Sequence, residues 1–182
     1  EMSNEELWQL FPIIITKHKD SWKGDYEAEK NYLIEKIGMN NIKRINHIGS
    51  TAVKNLVAKP TIDILIEIKK DIHKDNLIRI MEGSGYIYSY QPNNPPPHMM
   101  FMKGYTINGF EGQAYHVHIR YYGDWDELYF RDYLIKYPEV AEEYGKLKLV
   151  LKEKYKHNRD AYTQAKTEFI SKITQLARKE FQ

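Results

Sequence analysis

His47-Ile48-Gly49-Ser50-Thr51-Ala52-Val53, and shortly after it Thr61-Ile62-Asp63-Ile64-Leu65-Ile66-Glu67-Ile68, is the stretch on which the reading of this chain turns. Side chains alternate across a β-strand, so Ile62, Ile64, Ile66 and Ile68 point one way while Thr61, Asp63, Leu65 and Glu67 point the other. One face belongs to a core; the other carries acid. Ile42 to Ile48 is short and rich in β-branched residues, and it ends at Gly49-Ser50, which suggests a strand entering a tight turn. Twelve residues then separate Ser50 from Asp63. An acid facing away from a row of isoleucines is either solvated or used in a site.

Working outward, Tyr26, Leu33, Ile34 and Ile37 leave a charged opposite face, so Asp25 to Ile37 reads as an amphipathic helix stopped by Gly38. A second helix is expected over Ile72 to Met81, ending near Gly83-Ser84-Gly85. Tyr86 to Tyr90 suits a strand. The loop Gln91 to Pro97 contains three consecutive prolines, which forbid helix and resist sheet, and it is expected near the surface. Met99 to Lys103 and Ala114 to Tyr122 read as a strand pair bridged by a glycine-rich connection through Gly104, Gly109 and Gly112. In the second of these strands His116, His118, Arg120 and Tyr122 share a face too polar for ordinary core. After Gly123 the pattern is helical: one helix to about Lys136, a new one opened by Pro138 with Val140, Tyr144, Leu147 and Leu151 in a stripe, and a last from about Asp160 to Ala177 with Asp160 as N-cap.

Composition narrows the function classes. The chain has 182 residues, the length of one compact unit with an appended helical half. It has no cysteine, which removes thiol catalysis, Cys-ligated zinc, iron–sulfur chemistry and disulfides, and is consistent with a cytoplasmic setting. Lys and Arg total 27 against 25 Asp and Glu, and a net charge of +2 is too small for a dedicated nucleic-acid binder. The longest apolar run, Met99-Met100-Phe101-Met102, is far short of the ~20 residues of a membrane span. The 15 tyrosines suit the edge of a core or the wall of a cleft. Glu1 ahead of Met2 is expected to be a remnant foreign to the natural chain and is left out of the fold reasoning.

The Gly-Ser turn followed by an acid on a strand is similar to the nucleotidyltransferase superfamily that includes DNA polymerase β. More closely, the chain resembles the GrpB family, a branch of that superfamily. His47 to Val53 leading into Ala58-Lys59-Pro60-Thr61-Ile62-Asp63-Ile64-Leu65 resembles its HIGST and AKP-IDIL stretch, and His116-Val117-His118 its HxH strand. Phe130-Arg131-Asp132-Tyr133-Leu134 with Tyr137-Pro138 looks like its FRDYL and HP element, Tyr137 replacing the usual His. Tyr144, Lys148 and the run from Arg159-Asp160-Ala161-Tyr162 to Ala165-Lys166 also match. The chain departs from the family where Lys54-Asn55-Leu56 stands for Pro-Gly-Leu. It shares with the family the loss of the superfamily's second strand acid, whose place is taken by Leu65.

The resemblance implies an α+β fold: a nucleotidyltransferase-like mixed sheet flanked by helices over residues 2–123, then an antiparallel helical segment over 124–182. It further implies a nucleoside triphosphate, or another phosphorylated small molecule, as ligand. Gly49 and Ser50 would receive phosphates, because glycine lets oxygens approach the main chain closely. Lys59, Arg120 and Arg131 are the candidate countercharges. Two-metal phosphoryl transfer needs several carboxylates, and Asp63 alone cannot supply them. The implied cofactor is a divalent metal, Mg, Mn or Zn; if the strand of His116 and His118 lies beside that of Asp63, the three form a mixed ligand and acid–base set that suits Zn, Mn or Fe rather than Mg. His47 is a further possible ligand or base, and Glu67 reads as a rim carboxylate. Arg131, Asp132, Tyr144, Lys148 and Lys166 read as a network tying helices to sheet. The expected function is a metal-dependent nucleotidyltransferase with an unidentified acceptor. The alternatives are a non-catalytic nucleotide- or metabolite-binding module and a metal-dependent phosphohydrolase at Asp63, His116 and His118.

Overall fold

The computed structural model describes residues 3–91 and 97–182. Five strands, β1 (Ile42–Ile48), β2 (Thr61–Ile68), β3 (Ile87–Ser89), β4 (His98–Thr106) and β5 (Gly109–Tyr121), form one sheet in the order β1-β2-β5-β4-β3. β2 and β5 run parallel, and every other neighbouring pair is antiparallel. The sheet is therefore mixed, as the resemblance implies. The isoleucines of β2 lie in register with Tyr115, Val117, Ile119 and Tyr121 of β5. Helices α2 (Ser21–Ile37) and α3 (Lys74–Gly83) cover that face, burying Trp22, Leu33, Leu77 and Met81 against it. Burying side chains of this size contributes about 1.5–3 kcal/mol each.

Three helices complete the described chain: α4 (Asp126–Lys136), α5 (Pro138–Lys154) and α6 (Arg159–Phe181). They share a second core in which Phe130, Leu134, Ala141, Tyr144 and Ile173 close on Val53 and Leu56. The segment after the Gly-Ser turn is thus the dock for the helical half. None of the described helices is long and apolar enough to cross a membrane.

Several boundaries differ from the sequence reading. A short helix, α1 (Asn4–Leu10), was not anticipated, although Ser3 and Glu6 form the reciprocal capping box that its spacing permits. α2 opens four residues earlier than Asp25, because Trp22 belongs to the core. Asn158, not Asp160, caps α6: its side chain accepts from the Ala161 N–H. The glycine-rich connection is mostly strand. β4 and β5 continue to a turn at Ile107-Asn108, and Gly104 makes an irregularity where the backbone of Ala114 approaches too closely for a side chain. Residues 92–96 of the proline loop, like Glu1 and Met2, lie outside the described residues.

Glu67 requires correction. It does not line a rim: it is fully buried, paired with the Arg44 guanidinium across the β1–β2 ladder and accepting from the Gly123 N–H. Its neighbour on β5, Arg120, is buried too, pairing with Glu127 at 2.6 Å and stacking on Trp125. Both sit on the Asp63 face but one strand-turn further along, where the loop after Gly123 closes over them. Arg44→Met should cost about 1–3 kcal/mol, because a buried carboxylate keeps only one N–H partner. Urea unfolding measures this, and an unchanged midpoint would mean that the pair contributes nothing net.

Candidate functional site

The parallel register does what the sequence could only suppose. Asp63 stands opposite His116 and Leu65 opposite His118, so the acid and both imidazoles share the face away from the isoleucines. His118 Nε2 lies 3.4 Å and His116 Nδ1 3.6 Å from the same Asp63 oxygen, Oδ1. The other oxygen, Oδ2, lies against Gly49: a Cβ there would come within 2.7 Å of it. Gly49 also has φ 74° and ψ −173°, a region essentially closed to other residues. The Gly-Ser turn is therefore folded directly onto the catalytic candidate.

Opposite this wall stand α5 and α6. Lys148 donates to Ser50 Oγ at 2.8 Å and lies over the Tyr144 ring. Lys166 and Lys59 both lie over the ring of Tyr162, at 4.6 and 5.8 Å from its centroid. These three lysines, with Gly49, Ser50, Asp63, His116 and His118, line one cleft of about 660 Å³. Phe130, Ile170, Thr174 and Gln175 also line it. Tyr162 is wholly buried, yet its hydroxyl has no hydrogen-bond partner among the described residues. A buried donor left unpaired costs about 1–3 kcal/mol, and a ligand oxygen in the cleft would relieve it.

Charge dominates the chemistry here. Burial, then repulsion from Lys166 and Lys59, pushes Lys148 down to about 6. Burial and Lys59 push Lys166 down to about 7, with Asp63 opposing. Lys59 is lowered by burial and by Arg159. Burial would raise Asp63, but the His118 hydrogen bond and the His116, His118 and Lys59 charges outweigh it and hold the carboxyl below its usual range. Burial brings His116 down to about 4. The lining also holds Asp126 and Glu127, but these are paired with Arg178 and Arg120, so the three amines gather around the Asp63 carboxylate, an arrangement that waits for an anion.

Other expected site residues are not brought here. His47 pairs with Ile64 in the ladder, so it lies on the isoleucine face, stacked on Tyr26 and bonded to Thr51 Oγ1 at 2.8 Å. Burial lowers it to about 4. Arg131 is spent on the Asn46 side chain, the His47 carbonyl and Asp132, and it steadies the end of β1 instead of reaching the cleft. Arg120 is occupied as described above.

The donor set is a poor match for a resident metal. Among the described residues no group of three or more His, Asp or Glu side chains is placed to hold an ion. Both imidazoles aim at one oxygen, the second oxygen is pressed to Gly49, and the surrounding charge is positive. These residues do not fit a divalent cation held by protein alone.

The family description "GrpB protein" matches residues 12–176. This chain belongs to the GrpB family. It is 36% identical over 166 residues to the glutamate-rich protein GrpB of Alkalihalophilus pseudofirmus, covering 88% of this chain and 93% of that one. The crystal structure of GrpB from Enterococcus faecalis superposes with a TM-score of 0.81 at 31% identity, covering 92% and 99% of the two chains. A structure of the Cid1 poly(U) polymerase with MgGTP bound gives a TM-score of 0.51 at 13% identity, over 77% of this chain and 44% of that one. That last likeness establishes a nucleotidyltransferase-like fold.

Within this GrpB-family chain, the sequence reading underrated Lys148 and Lys166 and passed over Tyr105 and the Tyr162 hydroxyl. A signal for the lysines was present. Lys148 falls on the buried stripe Ala141, Tyr144, Lys148, Leu151, and Lys166 follows Tyr162 by one helical turn. A lysine inside an apolar stripe is a placed charge, not a solvated one.

Proposed function

We propose that this protein is a nucleotidyltransferase-like protein whose cleft binds a nucleoside triphosphate. The presence of Lys59, Lys148 and Lys166 in one cleft with the Gly49-Ser50 turn, Lys148 bonded to Ser50, carries the reading. Together they supply the countercharge for a triphosphate, Ser50 and the glycine backbone supply short-range contacts, and the cleft beside Phe130, Ile170 and Gln175 offers room for the nucleoside. In transfer, an acceptor oxygen would form a bond to the α-phosphorus while the bond to the bridging oxygen breaks. Pyrophosphate would leave toward the lysines, and the acceptor proton would pass to the Asp63–His118 pair. The Cid1 relative is described with MgGTP, so nucleotide accompanied by Mg is the natural probe, the cation arriving with the ligand.

A second reading, binding without transfer, is favoured by one observation: Leu65, in the place of the superfamily's second acid, is fully buried opposite His118. The two are separated by following α-labelled ATP, GTP, CTP and UTP while unfolding midpoints are read with and without Mg, Mn or Zn. A ligand at ~100 times its dissociation constant adds ~2.7 kcal/mol, which raises the midpoint by roughly 5–11 °C for a chain of this size. Label leaving the triphosphate, and abolished by Asp63→Asn, establishes transfer. A shift without turnover establishes the binding module. A flat response to all four nucleotides refutes both.

A further inference from the structure

A smaller cavity of about 320 Å³ adjoins the cleft across Lys59 and Thr61, which line both. Pro12 and Ile14 form one wall, the β4–β5 hairpin another, and Arg159 at the start of α6 a third. Its floor is aromatic. Tyr105 and Phe110 pack with their rings tilted, centroids 5.1 Å apart, and Phe11 packs against both. Its charges are Lys19, Lys59 and Arg159, with no carboxylate among the described lining residues. None of the three has a salt-bridge partner among the described residues.

Two details separate this cavity from an incidental groove. Arg159 donates one N–H to the Phe11 carbonyl, but its Nε–H is buried and has no acceptor among the described residues. A guanidinium fixed on one edge and unsatisfied on another is prepared for an oxyanion. Tyr105 also lines the cavity while bonding His116 Nε2 at 2.7 Å, and the other nitrogen of His116 faces Asp63. The cavity therefore reaches the Asp63 carboxylate through a single imidazole.

We propose that this second cavity binds a small molecule with one oxyanion head, carboxylate or phosphate, on a flat apolar body. Arg159 and Lys19 hold the head, and Phe110 and Tyr105 the body. A volume near 320 Å³, at the low end of ligand pockets, suits one ring with its head group. Its use as the acceptor site rests on the nucleotide reading above; the binding itself does not.

The test is a titration of the full chain by amide NMR, using benzoate, phenyl phosphate and the neutral isostere benzamide. Saturable shifts at Phe110, Gln113, Ala114 and Arg159 are expected with at least one anion and not with benzamide, and the stronger anion names the head. Arg159→Gln should weaken binding roughly tenfold, the loss of one charge-assisted contact. Should that variant fail to fold, Lys19→Glu changes an exposed side chain and should weaken binding roughly threefold or more. Equal binding of benzamide, anion shifts confined to Ser50 and Lys148, or an unaltered Lys19→Glu would each overturn the proposal. ATP binding without anion binding refutes this cavity alone; anion binding without ATP binding upholds it and removes the acceptor role.

Discussion

Lys148→Met is expected to be more stable than the wild type at pH 7 and to bind nucleotide more weakly. The side chain is almost wholly buried, and burial and its two lysine neighbours have already driven its pKa to about 6. In the unfolded chain the same amine titrates near 10.5. Folding at neutral pH therefore strips a proton from the amine or buries a repelled charge. Replacing such a group by an apolar side chain of similar length stabilises by about 1–4 kcal/mol in comparable cases. For a chain of this size that is about 2–4 °C in midpoint for each kcal/mol. Removing a charge-assisted phosphate contact works in the opposite direction, weakening nucleotide by about 1.5–3 kcal/mol, or roughly 10- to 150-fold.

The pH dependence follows from the same displacement. Between about 6 and 10.5 the unfolded state holds the Lys148 proton and the native state does not, so raising the pH stabilises the fold by up to about 1.4 kcal/mol per unit for each such group. Lys166, at about 7, acts in the same sense over a narrower window. The advantage of the Met variant should accordingly shrink as urea midpoints are taken from pH 7 to pH 9. Nucleotide reverses the shift, since phosphates beside the amines restore their protons, and calorimetry in buffers of different ionisation enthalpy should record proton uptake on binding at pH 8. A Met variant less stable than wild type at pH 7 would refute the account of mutual repulsion.

Much of this architecture is legible in one line of residues, and the limits are instructive. Alternation over Thr61 to Ile68 is enough to separate the core face from the Asp63 face, because period two has no other interpretation once four isoleucines align. It does not say which strand lies alongside. That Asp63 meets His116 depends on a parallel pairing between segments over fifty residues apart, which the sequence leaves as a supposition. Periodicity also fails at Glu67 and His47. Glu67 shares a face with Asp63 yet lies under the Gly123 turn, and His47 sits one residue out of phase with the cleft. Charge type misleads in the same manner: Arg120 and Arg131 are the better phosphate binders by chemistry, yet both are engaged by nearby acceptors, while the lysines of α5 and α6 reach the cleft because Val53 and Leu56 dock those helices against the Gly-Ser turn.

Gly49→Ala joins the fold and the site most directly. The backbone at φ 74° and ψ −173° costs a non-glycine residue about 1–3 kcal/mol, and the added methyl, 2.7 Å from Asp63 Oδ2, adds overpacking of about 1–3 kcal/mol. A loss of roughly 2–6 kcal/mol is expected from these two causes together. They can be separated. Asp63→Gly removes the three atoms nearest that methyl, Oδ2, Cβ and Cγ, so Gly49→Ala introduced into an Asp63→Gly background should lose little beyond the backbone share. The coupling in that double-mutant cycle, expected at about 1–3 kcal/mol, reads the contact between turn and acid. Strict additivity would mean that the turn tolerates a methyl beside Asp63, and that Gly49 is kept for its backbone alone. A clear coupling would mean that the turn and the acid are one device: the conformation that opens the main chain of Gly49-Ser50 toward a ligand is the one that presses Gly49 against the carboxylate.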